Sequence, residues 1–398
     1  MTTADLNRWR RDTPACAALV HLNNAGASLM PKPVGDAISA HLTLEQTIGG
    51  YEAADRVARE IESVYGALAA LVGARARNIA IVEHATAAFT QALAAFDFEA
   101  GDRIVVSQAD YVSQQLIFLA LAERRGVEIV HAADGADGSV DPEDVKRLAA
   151  HPRCRLVSIC WMPTNSGLVQ DVHGVGEVCS ELGVPYLVDA CQAVGQEPID
   201  ATRLKCDFLT ATGRKFLRGP RGTGFLYVSD AALDRRWYPW TIDTQGARWT
   251  ASNAFELVDS ANRFETWEFP YALVLGLGKA AEYALEVGVD VASARARMLA
   301  ARLRSRLAEV STWRVLDDRP NASAIVAVHL GPSDPRRVVE ALRGAGVNTS
   351  ATFREWAQFH MGRQGVESAL RVSPHYYNTE DEIDRFVVAL EEVVNRYV

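Results

Sequence analysis

From about residue 75 the chain alternates short apolar runs with helix-length segments, and this alternation limits what it can fold into more than any other feature of the sequence. Runs at 79–83, 103–107, 128–132, 156–161, 186–189, 208–212 and 224–228 read as strands, with helical stretches between them at 86–95, 112–125, 142–150 and 172–182. The runs are almost continuously apolar, so both faces of the sheet need cover. The expectation is an α/β fold, with a mostly parallel seven-stranded sheet flanked by helices. Sheets of this kind bind ligands beyond the carboxyl ends of their strands.

Chemistry-bearing residues gather at those ends. Asp189 closes the fifth run, and Lys215 stands twenty-six positions later, in Thr212-Gly213-Arg214-Lys215 after the sixth. A carboxylate at one buried strand end and a lysine after the next suit a pyridoxal phosphate (PLP) site. The lysine holds the aldehyde as a Schiff base and the carboxylate keeps the pyridine nitrogen protonated. Of 41 basic residues only Lys32, Lys146, Lys205, Lys215 and Lys279 are lysines, and Lys215 alone has a phosphate-friendly neighbourhood. Its neighbour Arg214 offers a cation that would activate the amine and help neutralise a phosphate. Gln192, three residues after Asp189, can reach a ring hydroxyl while Asp189 reaches the ring nitrogen. After the first run, Ala85, Thr86 and Ala87 open a helix whose N-terminal N–H groups, with the Thr86 hydroxyl, suit a phosphate. Tyr111 follows the second run, where a flat side chain can stack on the ring, and Thr164 follows the fourth. Arg371 interrupts an apolar strand at 369–373, and a buried arginine needs an anion, from the protein or from a substrate carboxylate.

Beyond residue 229 a Trp-rich stretch gives way to long helical patterns at 272–286 and 291–308, then a strand at 325–330, a helix at 335–344 and a last helix from 380. Thr379 and Glu382 form a capping-box pattern for that last helix. These pieces suggest a smaller α+β domain made of 1–17 and 259–398, beside a large domain at 18–258. A net charge of −9 argues against nucleic acid and anionic membrane surfaces as partners. No run of about 20 apolar residues is present to span a bilayer, and a cytoplasmic location is expected. The six cysteines show no paired spacing and read as reduced thiols, and no metal site is expected.

Asp189-Ala190-Cys191-Gln192, Thr212-Gly213-Arg214-Lys215 with Gly219-Pro220-Arg221-Gly222, and Arg371-Val372-Ser373 with the run 377–384 together resemble the class V aminotransferase family of fold type I PLP enzymes. The likeness covers nearly the whole chain. It implies that Lys215 forms the Schiff base, Asp189 pairs with the pyridinium and Gln192 contacts the ring oxygen. It puts Thr86, Thr212 and Arg214 at phosphate positions, Tyr111 at the ring-stacking position and Arg371 at the substrate carboxylate. It also implies a homodimer in which residues 264–268 reach the neighbouring site. Tyr111 and Arg214 stand where the family usually has histidines, and Ala87 stands where a second threonine is usual. Cysteine desulfurases of the family carry a nucleophilic cysteine on a loop before the Arg371 region, whereas 348–352 has none, so the chain is expected not to be one. With the segment 49–54, these departures resemble the branch that holds the carbon–sulfur lyases of ergothioneine biosynthesis and isopenicillin N epimerase-like proteins. The implied reaction is β-elimination on an L-cysteine conjugate or its sulfoxide, releasing pyruvate and ammonia, with Lys215 as base and Tyr111 assisting. Asn24 and Tyr51 are further candidate substrate contacts. Epimerase, aminotransferase, decarboxylase or aldolase chemistry, and a non-catalytic PLP-fold binding protein, are the alternatives.

Overall fold

The computed structural model describes residues 2–316 and 319–397. Its central sheet comprises β1 (Ile79–Val82), β2 (Arg103–Val106), β3 (Glu128–His131), β4 (Cys154–Cys160), β5 (Tyr186–Asp189), β6 (Phe208–Thr212) and β7 (Gly224–Val228). Among the described residues the strand order is β3-β2-β4-β5-β6-β7-β1, and only β7 runs antiparallel to its neighbours. Successive strand residues point to opposite faces. Ile79, Ile81, Val105, Val157 and Val188 therefore enter one apolar cluster, while Ala80, Val82, Ile104, Leu156 and Leu187 enter another. Burial on both faces explains why these strands lack polar alternation. The protein is thus α/β, with helices covering a mostly parallel sheet.

A second, antiparallel sheet is built in the order Arg314–Leu316, Val326–His329, Ser368–Val372, Ser350–Phe353. The helices Val289–Ala308, Pro335–Gly344 and Glu380–Tyr397 share its core through Leu299, Leu303, Leu342, Phe386 and Leu390. Thr379 and Glu382 make the expected capping box, each side chain accepting the other's backbone N–H. Val20–His21 pairs in parallel with Val347–Asn348, so Val20, Leu22 and Ala25 pack in the core of this smaller sheet. The helix Tyr271–Val287 instead sends Val274, Leu277 and Ala280 into a cluster beside the large sheet. Helix-length apolar spacing does not reveal which of two cores an amphipathic helix will join. The Trp-rich stretch contains an unexpected hairpin, Ala247–Ala251 with Ala254–Leu257, which leaves Trp249 79% exposed. No described helix is long and apolar enough to cross a membrane.

The outer edge of β1 is capped by the buried Glu265 carboxylate, which accepts from Ile81 N–H at 2.6 Å, Tyr65 Oη–H at 3.0 Å and Asn262 Nδ2–H at 2.9 Å. An occupied strand edge is closed to pairing with other chains. Burial raises this carboxyl to about 7, above its value in an unfolded chain. The native state therefore holds its proton more tightly. The resulting stability is fully present below the unfolded carboxyl's pKa and is lost as pH rises through about 7. Glu265→Gln should accordingly flatten the fall in stability between pH 5 and pH 8 by on the order of 1 kcal/mol, as read from urea unfolding at several pH values.

Candidate active site

Lys215 lies in a turn held from every side. Gly213 N–H donates to Thr223 O and Gly219 N–H to Gly213 O, closing the loop after β6. His375, in the loop after Ser368–Val372, bonds through Nε2 to Phe216 O at 2.8 Å. Gly195 has φ +83°, and a Cβ there would lie 2.5 Å from the Phe216 carbonyl, so only glycine permits this approach. Arg218, itself at φ +64°, is 2% exposed. Its guanidinium donates to Leu29 O, Tyr376 Oη and Thr13 Oγ1, and its carbon lies 4.3 Å from the Tyr377 ring centroid. The N-terminal arm, the lysine turn and the smaller lobe thus meet at one buried arginine.

The result is a buried amine. The other four lysines form ion pairs, with Asp36, Glu181, Glu177 and Glu282. Lys215 is 7% exposed, has no carboxylate partner among the described residues, and sits with Nζ 5.8 Å from the Tyr111 ring centroid. It opens on a cleft of about 300 Å³ lined also by Ala85, Thr86, Tyr111, Thr164, Asp189, Gln192, Thr212 and Arg214. The turns after β1, β2, β4, β5 and β6 supply these residues, as expected for a parallel sheet.

Each wall has a defined state. Asp189, buried at the end of β5, accepts from Cys191 N–H at 2.8 Å and from Gln114 Nε2–H at 2.5 Å. Gln192 donates to Ala25 O and Thr164 Oγ1, while its Oε1 is buried without a partner, an acceptor ready for a ring hydroxyl. Thr86 and Ala85 occupy the first turn of the helix Ala85–Leu93, where N–H groups have no intrahelical acceptor. Ala87 does not line the cleft: its N–H is taken by the capping His84 Nδ1 at 3.0 Å. Arg214 donates to Gly26 O, and burial, then Arg221, lowers its pKa. The Thr212 hydroxyl donates to Thr223 O at 3.3 Å. A lysine nitrogen without an acceptor, a buried carboxylate, an orphaned Gln192 oxygen and arginines without carboxylates are the donor set that PLP would fill.

Arg371 stands on Ser368–Val372, buried, with Nη1 donating to Thr164 O and Oγ1 at 3.0 and 2.7 Å, and Nη2 to Asn23 Oδ1 at 3.3 Å. Its Nε has no partner, and burial, with Arg214 nearby, pushes its pKa down to about 10. Thr164 Oγ1 thus receives both Gln192 and Arg371, tying the cleft wall to Arg371, which is not itself in the lining. Two expected substrate contacts are not among the residues lining this chain's cleft. Asn24 is fully buried and occupied by Ser373 O and Tyr377 Oη–H, because its neighbour Asn23 is the residue that turns towards Arg371. Tyr51 lies on the short helix Gly50–Arg56, 79% exposed and outside the cleft lining. Gln114 and Arg221 are cleft residues that the sequence reading missed. Gln114 stands in the first turn of the helix Val112–Arg125, just past the extended N-cap residue Tyr111.

The class V aminotransferase model matches residues 20–386. The chain belongs to the class V aminotransferase family. As a member of it, the protein is a PLP-dependent enzyme, and the cleft fits that cofactor. The chain is 27% identical over 400 residues to a probable cysteine desulfurase of Methanothermobacter thermautotrophicus, covering 99% of this chain and 98% of the relative. It is 28% identical over 387 residues to a probable hercynylcysteine sulfoxide lyase of Mycobacterium tuberculosis, covering 96% and 92%. Its fold matches a cysteine desulfurase of Escherichia coli with a TM-score of 0.89 at 24% identity, covering 99% of both chains. These relatives overturn the expectation that this class V member is not a cysteine desulfurase. Relatives bearing that name match along nearly the whole chain, which has no cysteine in the segment 348–352. Thiols also lie elsewhere in the cleft: Cys160 and Cys191 line it, both pushed up by burial and by the Asp189 charge.

Because Arg218 joins three segments, Arg218→Leu should lower stability by on the order of 3 kcal/mol, the scale for losing hydrogen bonds made by a buried charge. Urea unfolding of wild type and variant measures this, and an unchanged midpoint would separate the lysine turn from the arginine cage.

Proposed function

We propose that this enzyme cleaves the carbon–sulfur bond of an L-cysteine-derived substrate, foremost by β-elimination from a cysteine conjugate or its sulfoxide. The observation that carries the reading is Arg371, a buried guanidinium with no carboxylate partner among the described residues, tied through Thr164 to the Gln192 side of the cleft. A bidentate grip on the substrate carboxylate would use its unpartnered Nε and fix the α carbon near Lys215. Bound in the cleft, PLP would accept the electron pair released at that carbon. Lys215 Nζ, which opens on the cleft, would take the α proton. Asp189 would hold the proton on the ring nitrogen, and Tyr111, on the lysine's side of the cleft, would stack on the ring and assist proton transfer. Thr86, Thr212 and Arg214 would bind the phosphate, with Ala85 N–H beside them. The relative named as a sulfoxide lyase supports elimination.

A second reading is cysteine desulfurase activity, favoured by the names of several full-length relatives. Both reactions break the same bond and share Lys215, Asp189 and Arg371. We also infer a homodimer. The exposed hairpin bearing Trp249 supports this, since an isolated two-stranded hairpin is marginal in water without a covering surface.

Incubation with S-substituted cysteine sulfoxides and with L-cysteine, without added keto acid, distinguishes these outcomes. Pyruvate and ammonia are expected from the lyase reaction, whereas alanine with released sulfur identifies a desulfurase. Amine transfer that requires a keto acid, or racemisation without cleavage, would contradict carbon–sulfur chemistry. Arg371→Gln should lower kcat/KM by roughly tenfold to a hundredfold, the loss expected when a charged hydrogen-bond donor is removed from a carboxylate.

A further inference from the structure

We propose that Gln114 is a positioning residue for Asp189, its side-chain amide holding the carboxylate that must face the cofactor's ring nitrogen. The inference rests on the PLP reading of the cleft.

Gln114 lies in the first turn of the helix Val112–Arg125, is 5% exposed and donates Nε2–H to Asp189 Oδ2 at 2.5 Å. The other carboxylate oxygen takes Cys191 N–H at 2.8 Å, a backbone donor that belongs to the strand-end turn. One donor on each oxygen fixes the carboxylate plane while leaving lone pairs free. The turn that aims Gln114 is itself pinned. Asp110 accepts from Ser107 Oγ–H at 2.5 Å, from Cys160 N–H at 3.2 Å and from Gln115 Nε2–H at 3.0 Å. Cys160 is the register partner of Asp189 across β4 and β5. The anchor of the helix start and the carboxylate it serves therefore stand on adjacent strand ends.

The same arrangement creates a problem that Gln114 addresses. Asp110 and Asp189 are buried near one another, and burial, with the Asp189 charge adding to it, raises Asp110 to about 7. A donor to the charged form favours that form. Adjacent glutamines divide this work, Gln114 serving Asp189 and Gln115 serving Asp110. An amide donates without adding a charge of its own, and with one donor on each oxygen the Asp189 carboxylate keeps lone pairs for the ring nitrogen's N–H.

The test uses full-length protein stripped of PLP and titrated with it, following the visible absorption band, with circular dichroism and thermal unfolding as checks on folding. Wild type should take up PLP. Gln114→Leu should bind it roughly tenfold to a hundredfold more weakly, with absorption shifted out of the visible band. Gln114→Glu keeps the shape but sets a carboxylate against Asp189. It should bind PLP more weakly still at pH 8 and recover relative to wild type as pH falls and the new carboxyl becomes a donor. Gln114→Leu that binds within twofold of wild type with the same band would overturn the inference. If that variant does not fold, Gln114→Glu with wild-type affinity at pH 8 overturns it. Wild-type protein that takes up no PLP would overturn the reading of the cleft itself.

Discussion

The site depends on a buried amine held without a counter-charge. Lys215 opens on the cleft, and its place there is set by a turn held from several sides. The turn's own backbone bonds, His375, the glycine contact at Gly195 and the caged Arg218 fix it from both lobes. The smaller sheet therefore reaches the site. Its strand Ser368–Val372 carries Arg371, and the loop that follows braces the turn bearing the lysine.

The electrostatics follow from that geometry. Asp189 is a buried carboxylate in the cleft wall, Lys215, Arg214 and Arg221 line the same cleft, and Arg371 stands near Arg214. Such an excess of cations suits a ligand set with two anionic ends, a phosphate and a carboxylate, joined by a ring that carries one proton. Thr164 connects the two ends by accepting from Gln192 and from Arg371. Cofactor and substrate would thus be held by one hydrogen-bonded wall.

Much of this was legible before any coordinates. The strands of the large sheet are short apolar runs ended by polar punctuation, and their identity survives because burial on both faces demands it. Lys215, Asp189 and Gln192 lie at strand ends, where spacing alone nominates them. The failures have physical causes. Val20–His21 is too short to show a period, so the fate of the N-terminal arm was hidden. Asn24 and Asn23 are neighbours pointing different ways, and no composition rule decides which one faces the cleft. The hairpin at Ala247–Leu257 is exposed on both strands and carries no buried alternation to read. Gln114 was within reach, because it opens the helix that follows β2, at the same strand end as Tyr111.

The most direct measurement of the central claim is borohydride reduction of the PLP-loaded protein followed by peptide mapping. Reduction traps the bond between cofactor aldehyde and amine. The pyridoxyl group is predicted on the peptide containing Lys215 and on no other lysine at one equivalent per chain. Label on Lys32, Lys146, Lys205 or Lys279 in place of Lys215, or no stable label, would contradict it.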